Sequence, residues 1–279
     1  MIDIIIPVYN TPINDLERCL NSITNQSFDK YLVYIIDDGS NTETKMYLDN
    51  YIKDKNNFIV KHIKNRGVSY ARNLGLDISN SDYMAFVDSD DTLNPNFLKE
   101  AYNLIEDNNL DLIIGGYNEI KNNKITKIRV SMPGLHIYEE DNLINFFEKL
   151  ISSKTNETNK EIGDCPTGRI YTRLFKRESL NNLRFNTNIH MSEDTLFMID
   201  YMKYVKRIGI IDKVWYNYHI NDYSISNGTK NKKLVNDIEN FIKEIIKRQD
   251  KESNLRIINA YEERIKKANK HINILKNSN

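Results

Sequence analysis

The densest chemistry in this 279-residue chain lies in "FVDSDDTL", residues 86–93, where Asp88, Asp90 and Asp91 fall within four positions behind an apolar run. Alternate residues of an extended segment project to the same side, so Asp88 and Asp90 can offer oxygens to one hard cation. Mg²⁺ and Mn²⁺ favour carboxylate, water and substrate phosphate as ligands. Such an ion would relieve the crowding and hold a diphosphate. The plainer alternative is a turn or helix-capping cluster ahead of "TLNPNFL", since Asp and Thr both cap helices.

Other polar clusters invite similar paired readings. In "DDGS" (37–40), Asp38 could accept the N–H of a nucleobase or a ribose hydroxyl, or belong to an ordinary Asp-Gly turn. "PVYN" (7–10) offers backbone groups at Pro7 and Val8 and the ring of Tyr9 to a base, or simply ends a strand. "NRGVSYARN" (65–73) puts Gly67 where backbone can approach a ligand and Arg72 one turn into a helix, for a carboxylate, a phosphate or water. "HMSEDTLF" (190–197) places Glu193 and Asp194 at a helix start, as a general base or as N-terminal capping after Ser192. His219 in "YNYHINDYSIS" (216–226) could close over a diphosphate or be an ordinary histidine.

The elements that must position these groups alternate. "IDIIIPV" (2–8), "YLVYIID" (31–37), "FIVKHI" (58–63), "YMAFVD" (83–88) and "LDLIIGGY" (110–117) read as strands, the first two buried. Helical stretches lie between them, including "SYARNLGLDIS" (69–79), with Ala71, Leu74 and Ile78 on its inner face. The alternation predicts an α/β domain with a mostly parallel sheet. Ligands of such sheets bind at the carboxyl ends of the strands, and four of the polar clusters follow strands. Beyond residue 117 the pattern is less regular: a hairpin around Asn122-Asn123, a helix over 139–151, a polar stretch at 152–164 and a strand in "RIGIIDKVWYNYHI". From Leu234 the spacing predicts two amphipathic helices, broken near Glu252-Ser253-Asn254, packed on the main domain or on each other.

Composition bounds the function. Lys plus Arg equals Asp plus Glu at 39 each, so no bulk attraction to nucleic acid is expected. Two cysteines, Cys19 and Cys165, make no disulfide framework and suit a reducing compartment. "MIDIIIPVYN" lacks a basic n-region and reads as a strand, and no apolar run reaches the length of a membrane span. The expectation is a cytoplasmic protein.

In their order along the chain, "IDIIIPVYN", "YIIDDGSN", "NRGVSYARNLGL", "YMAFVDSDD" and "SEDTLF" resemble family 2 glycosyltransferases, most closely bacterial enzymes of capsular and exopolysaccharide synthesis. The resemblance implies a GT-A fold, α/β and Rossmann-like, over residues 1–228. Its nucleotide-binding half would be 1–117 and its acceptor half 118–228, with a helical extension at 229–279. It implies inverting transfer from a nucleotide-diphosphate sugar, usually UDP-linked, to a hydroxyl of a saccharide or lipid-linked saccharide at the inner membrane face. Residue by residue, it assigns the donor nucleotide to Pro7, Val8, Tyr9, Asp38, Gly67, Arg72, Asp88 and Ser89. It assigns Mn²⁺ or Mg²⁺ to Asp90 with Asp88, and the base to Asp194 with Glu193 beside it.

The chain departs from the family at Arg173, where a Lys is common, and at His219, where an Arg is common. The Q-x-x-R-W signature of processive synthases is absent, which implies single additions. The basic C-terminal helices also admit a peripheral membrane contact or a homodimer seam. Two rivals stand beside this reading. "DSDDT" also fits the D-x-D-x-T motif of haloacid-dehalogenase-type phosphatases, with Asp88 as nucleophile, although three strand–helix units precede it here. A non-catalytic sugar-nucleotide-binding protein is the other. A dinucleotide dehydrogenase is disfavoured, because no G-x-G-x-x-G follows the first strand.

Overall fold

The computed structural model describes residues 1–152, 162–164, 167–221 and 231–277. Cys165 and residues 222–226 of the aromatic segment lie outside the described residues, as does most of the polar stretch 152–164. The first half alternates as expected: β1 (Ile2–Val8), α1 (Ile13–Thr24), β2 (Tyr31–Asp37), α2 (Thr42–Tyr51), β3 (Phe58–His62), α3 (Val68–Ile78) and β4 (Tyr83–Phe86). There follow β5 (Thr92–Leu93), α4 (Phe97–Asp107), β6 (Leu112–Lys121), β7 (Lys124–Arg129), β8 (Leu135–Glu139) and α5 (Leu143–Ser152). The remainder is β9 (Arg173–Lys176), α6 (Glu193–Tyr201), β10 (Arg207–His219), α7 (Asn231–Gln249) and α8 (Leu255–Asn277).

One sheet carries all the described strands, with main order β3-β2-β1-β4-β9-β6-β10-β5. The β3-β2-β1-β4 part is parallel throughout. β6 and β10 also pair in parallel, but around them the sheet becomes mixed. β9 inserts antiparallel between β4 and β6, and β5, β7 and β8 also pair antiparallel. The strand order reverses at β1, whose neighbours are β2 and β4. That is where a crevice opens at the carboxyl ends of an open α/β sheet.

β1, β2 and β4 are buried on both faces, which explains their unbroken hydrophobic runs, whereas the edge strand β3 is largely exposed. On one side Ile2, Ile4, Ile6 and Val8 of β1 pack with Leu16, Cys19 and Leu20 of α1 and Phe97 and Leu98 of α4. On the other, Ile5 packs with Ala71 and Leu76 of α3 and with α5 and α6. Phe241 and Ile245 of α7, and Ile257 and Tyr261 of α8, join that same core. The C-terminal helices therefore spend their apolar faces on the main domain. The break between them falls at residues 250–254, where the sequence places it.

Helix α3 sits differently from its predicted face. Its buried side is Ser69, Ala71, Arg72, Gly75 and Leu76, whereas Ile78 is exposed. A Cβ on Gly75 would lie 2.4 Å from Ile5 Cγ2, so the helix approaches β1 as only glycine permits. Turning Gly75 inward also turns Arg72 inward, one helical turn earlier.

The second half is bolted to the first by a buried strand charge. Asp3 accepts from the Ser81 backbone N–H and hydroxyl at 2.6 and 2.7 Å and from Arg177 Nη2 at 3.0 Å. Arg177 also donates to the Ser81 carbonyl and the Ser79 hydroxyl. A buried carboxylate is tolerable when its lone pairs are filled in this way.

Candidate active site

The loops after β1, β2, β3 and β4 meet at the crevice and are tied to one another. Asp38 donates its N–H to the Val8 carbonyl, and Asn10 donates its N–H to the Ser40 hydroxyl at 2.9 Å. The Asp38 carboxylate is buried and accepts the N–H groups of Arg66 and Gly67, each at 2.7 Å. A carboxylate has about four lone-pair sites, so Asp38 can still accept from a ligand while it pins the 65–67 loop. Gly67 holds φ at 92°, a conformation open to glycine, and no atom lies within 4 Å of where its side chain would project. Pro7 and the exposed ring of Tyr9 face the same edge, whereas Val8 is buried and offers only backbone.

The acidic loop after β4 sorts its carboxylates by environment. Asp91 is fully buried and satisfied: it accepts the Tyr216 hydroxyl at 2.7 Å and the His219 N–H at 2.8 Å. It does not cap α4, which begins six residues later behind Asn96. The Tyr216 oxygen also receives the Asp88 N–H at 3.1 Å, so β10 holds the loop by its backbone. Ser89 is buried with its hydroxyl 2.6 Å from that of Thr11, which makes its side chain a tie between loops. Asp90 is less well provided. Its carboxylate has Asn221 Nδ2 at 3.3 Å, while Arg18 donates to its carbonyl rather than to its side chain. Burial, and then the charge of Asp88, push the Asp90 carboxyl up to about 6. That marks a negative charge short of partners.

Arg72 lies at the centre. It is only 3% exposed. Nη2 donates to Asp88 at 2.9 Å, and Nη1 donates to Glu193 at 3.0 Å and to Asp194 at 2.8 Å. Burial alone would weaken its charge, but Asp194, Asp88 and Glu193 more than offset that and hold it protonated. Of the partners the sequence left open to Arg72, a carboxylate, a phosphate or water, carboxylates occupy both of its terminal nitrogens. Glu193 and Asp194 begin α6, but the preceding Ser192 adopts a left-handed conformation and makes no capping bond through its side chain. The capping explanation of "SED" therefore loses its serine. Asp194 Oδ2 accepts the Ile170 N–H at 3.3 Å. Burial raises the Asp194 carboxyl well above the ordinary range, opposed by Arg72 and reinforced by Glu193 and Asp88. A carboxylate that holds its proton more tightly is a better base.

Sequence reasoning missed the aromatic cluster beside this centre, whose Tyr117, Tyr171 and Tyr216 are buried. Tyr171 stacks on Tyr216 at 4.5 Å between centroids and on Tyr218 at 6.1 Å, and Tyr117 meets Tyr171 edge-on. The signal was the density of tyrosines in "GGY", "IYT" and "YNYH", which lie about 50 residues apart and meet only through sheet pairing. His219 is held against Thr92 at 3.1 Å. Burial, with the charge of Arg18, lowers its pKa to about 4 and keeps the imidazole neutral.

Residues 3–184 match the model of glycosyl transferase family 2. The chain belongs to that family. This removes the phosphatase alternative, which would have made Asp88 a nucleophile. The chain is 31% identical over 236 residues to a poly(ribitol-phosphate) beta-N-acetylglucosaminyltransferase, TarP, of Staphylococcus aureus; the match covers 81% of this chain and 64% of that one. The chain thus spans less than two thirds of that relative's length. Among solved structures, S. aureus TarS 1–349 in complex with UDP-GlcNAc aligns with a TM-score of 0.69 at 21% identity, over 93% of this chain and 69% of that one. A mannosyltransferase from Pyrobaculum calidifontis in complex with GDP-Man and Mn²⁺ aligns with a TM-score of 0.59 at 14% identity, over 95% and 68%. These likenesses establish the GT-A fold that the sequence motifs imply.

Proposed function

We propose that this chain transfers a sugar, with inversion, from a UDP-linked donor to a hydroxyl of a saccharide or lipid-linked saccharide in bacterial surface-polysaccharide synthesis. The observation that carries the reading is Arg72. One buried guanidinium binds Asp88 of the acidic loop and Asp194 of α6, and so brings the diphosphate end of the site and a raised-pKa carboxylate to one point. Asp194 takes the proton of the attacking hydroxyl, with Glu193 beside it sharing the Arg72 charge. Tyr9, Pro7, Val8, Asp38 and Gly67 form the nucleotide wall, with Asp38 reading the base. The choice of a UDP-linked donor draws on the ligand bound to TarS.

The acidic loop fits a divalent ion. Among the described residues no group of three or more His, Cys, Asp or Glu side chains could hold a metal. An ion here would therefore take Asp90, with Asp88, and complete its shell with water and diphosphate oxygens, the mode Mg²⁺ and Mn²⁺ favour. The under-partnered Asp90 suits that role. When bound, the ion would supply charge stabilisation for the diphosphate leaving group. No helix among the described residues is long and apolar enough to cross a membrane.

The reading is tested by a thermal-shift screen of nucleotide sugars with and without Mn²⁺. A Mn²⁺-dependent rise in Tm with a UDP-sugar, lost in Asp90→Ala, is the expected result. No shift with any nucleotide sugar would remove the donor assignment.

A further inference from the structure

The aromatic side of the cleft holds a cation that the scheme above does not use. Arg169 directly precedes Ile170, whose N–H is bonded to Asp194. Its guanidinium lies 5.9 Å from the centroid of the Tyr171 ring. The side chain is exposed to water. It makes no hydrogen bond or ion pair among the described residues. Both oxygens of Asp194 are already taken, by Arg72 and by Ile170.

Displacement with inversion sets the attacking hydroxyl opposite the leaving diphosphate. If the diphosphate lies at Asp88 and Asp90, the hydroxyl enters on the side of Asp194, where Arg169 and the half-buried Tyr218 form the wall. An unpaired guanidinium there presents a planar fork that matches a phosphate. An aromatic face beside it suits the apolar side of a sugar or polyol.

We propose that Arg169, with Tyr218 beside it, forms an acceptor subsite for a phosphate group, so that the acceptor is a phosphate-bearing saccharide or polyol. This rests on the glycosyl-transfer reading, because it takes Asp194 as the base. Such a phosphate could belong to a phosphodiester-linked polymer or to a lipid diphosphate. The test is calorimetric titration of the full chain with three probes: a short ribitol-phosphate oligomer, a short-chain prenyl-diphosphate saccharide and a neutral oligosaccharide. Each is run with and without UDP and Mn²⁺.

Wild type is expected to bind at least one phosphate-bearing probe at least tenfold tighter than the neutral one, and the tighter probe names the source. Arg169→Gln should weaken that binding about tenfold or more, and Arg169→Lys by less. Equal binding of charged and neutral probes by wild type overturns the inference, and that arm needs no variant to fold. Unchanged binding in Arg169→Gln overturns it too. So does a matching loss of UDP affinity, which would assign the residue to the donor. Failure of wild type to bind UDP would instead count against the donor reading, while the probe titrations still report on Arg169.

Discussion

The two halves of the sheet solve the same problem in different ways. In the β3-β2-β1-β4 half each strand ends in its own functional loop, and short backbone bonds lock the loops together. In the other half the chain doubles back through antiparallel β9 and the long β10, and its contributions come from scattered places: Ile170, Tyr171, Asp194, Tyr216 and His219. The first half builds its wall from contiguous motifs. The second positions single side chains on that wall. Arg72 is where they join, since it rides on a helix of the first half and grips α6 of the second.

The same contrast appears between two adjacent residues. Asp91 is satisfied by β10, whereas Asp90 is left short of partners. Burial without partners is costly for structure and useful for binding. The second half thus decides which carboxylate of the acidic loop is structural and which is available to a cation.

Substitutions can separate these roles. The largest effect on chemistry is expected for Asp194→Asn, which should cut turnover by about 10²–10⁴-fold while leaving UDP-sugar binding near wild type. Near-normal turnover would remove Asp194 as the base. Next, Arg72→Met should destabilise the fold by about 3 kcal/mol, because it leaves three partly buried carboxylates without their cation. Urea denaturation reads this directly, and a loss under 1 kcal/mol would mean that the halves do not depend on the clamp.

Asp91→Ala should cost roughly 1–3 kcal/mol by orphaning the Tyr216 hydroxyl and the His219 N–H. The same titration measures it, and a neutral result would show that β10 does not hold the loop. The smallest effect concerns the first half alone. His62 lies 2.7 Å from Asp37 and 3.1 Å from Asp49. Burial opposes its charge, but these bonds outweigh burial and raise its pKa. A raised histidine stabilises below its unfolded value of about 6.5 and loses that contribution as pH climbs through the folded value. The stability difference between wild type and His62→Gln should therefore be widest near pH 5.5 and should shrink by pH 8.5.

Much of this was legible in the chain. The alternating strands and helices, the hairpin at Asn122-Asn123 and the two C-terminal helices follow from periodicity and turn chemistry, and their places hold. The loops of the candidate site were legible because in a parallel α/β unit a strand's end and the loop after it are neighbours in sequence. The inward turn of Arg72 was not, because a helix-face count treats arginine as polar, and only the close approach at Gly75 and three distant carboxylates reverse that. The mixed character of the sheet was hidden for a related reason. β9 is four residues long, and nothing in four residues states which strands it will separate.

By itself, then, the sequence determined the family, the α/β layering and the identity of the acidic groups, since these depend on local pattern and on motifs read in order. The tertiary structure alone decided which carboxylate is anchored and which is short of partners, that Arg72 couples the acidic loop to Asp194, and that four tyrosines cluster with Arg169 over one of their rings. Those outcomes depend on which distant groups occupy a carboxylate's lone pairs or lie beside a ring. Pairing of that kind is set when the chain returns across the sheet, not by any window of residues along it.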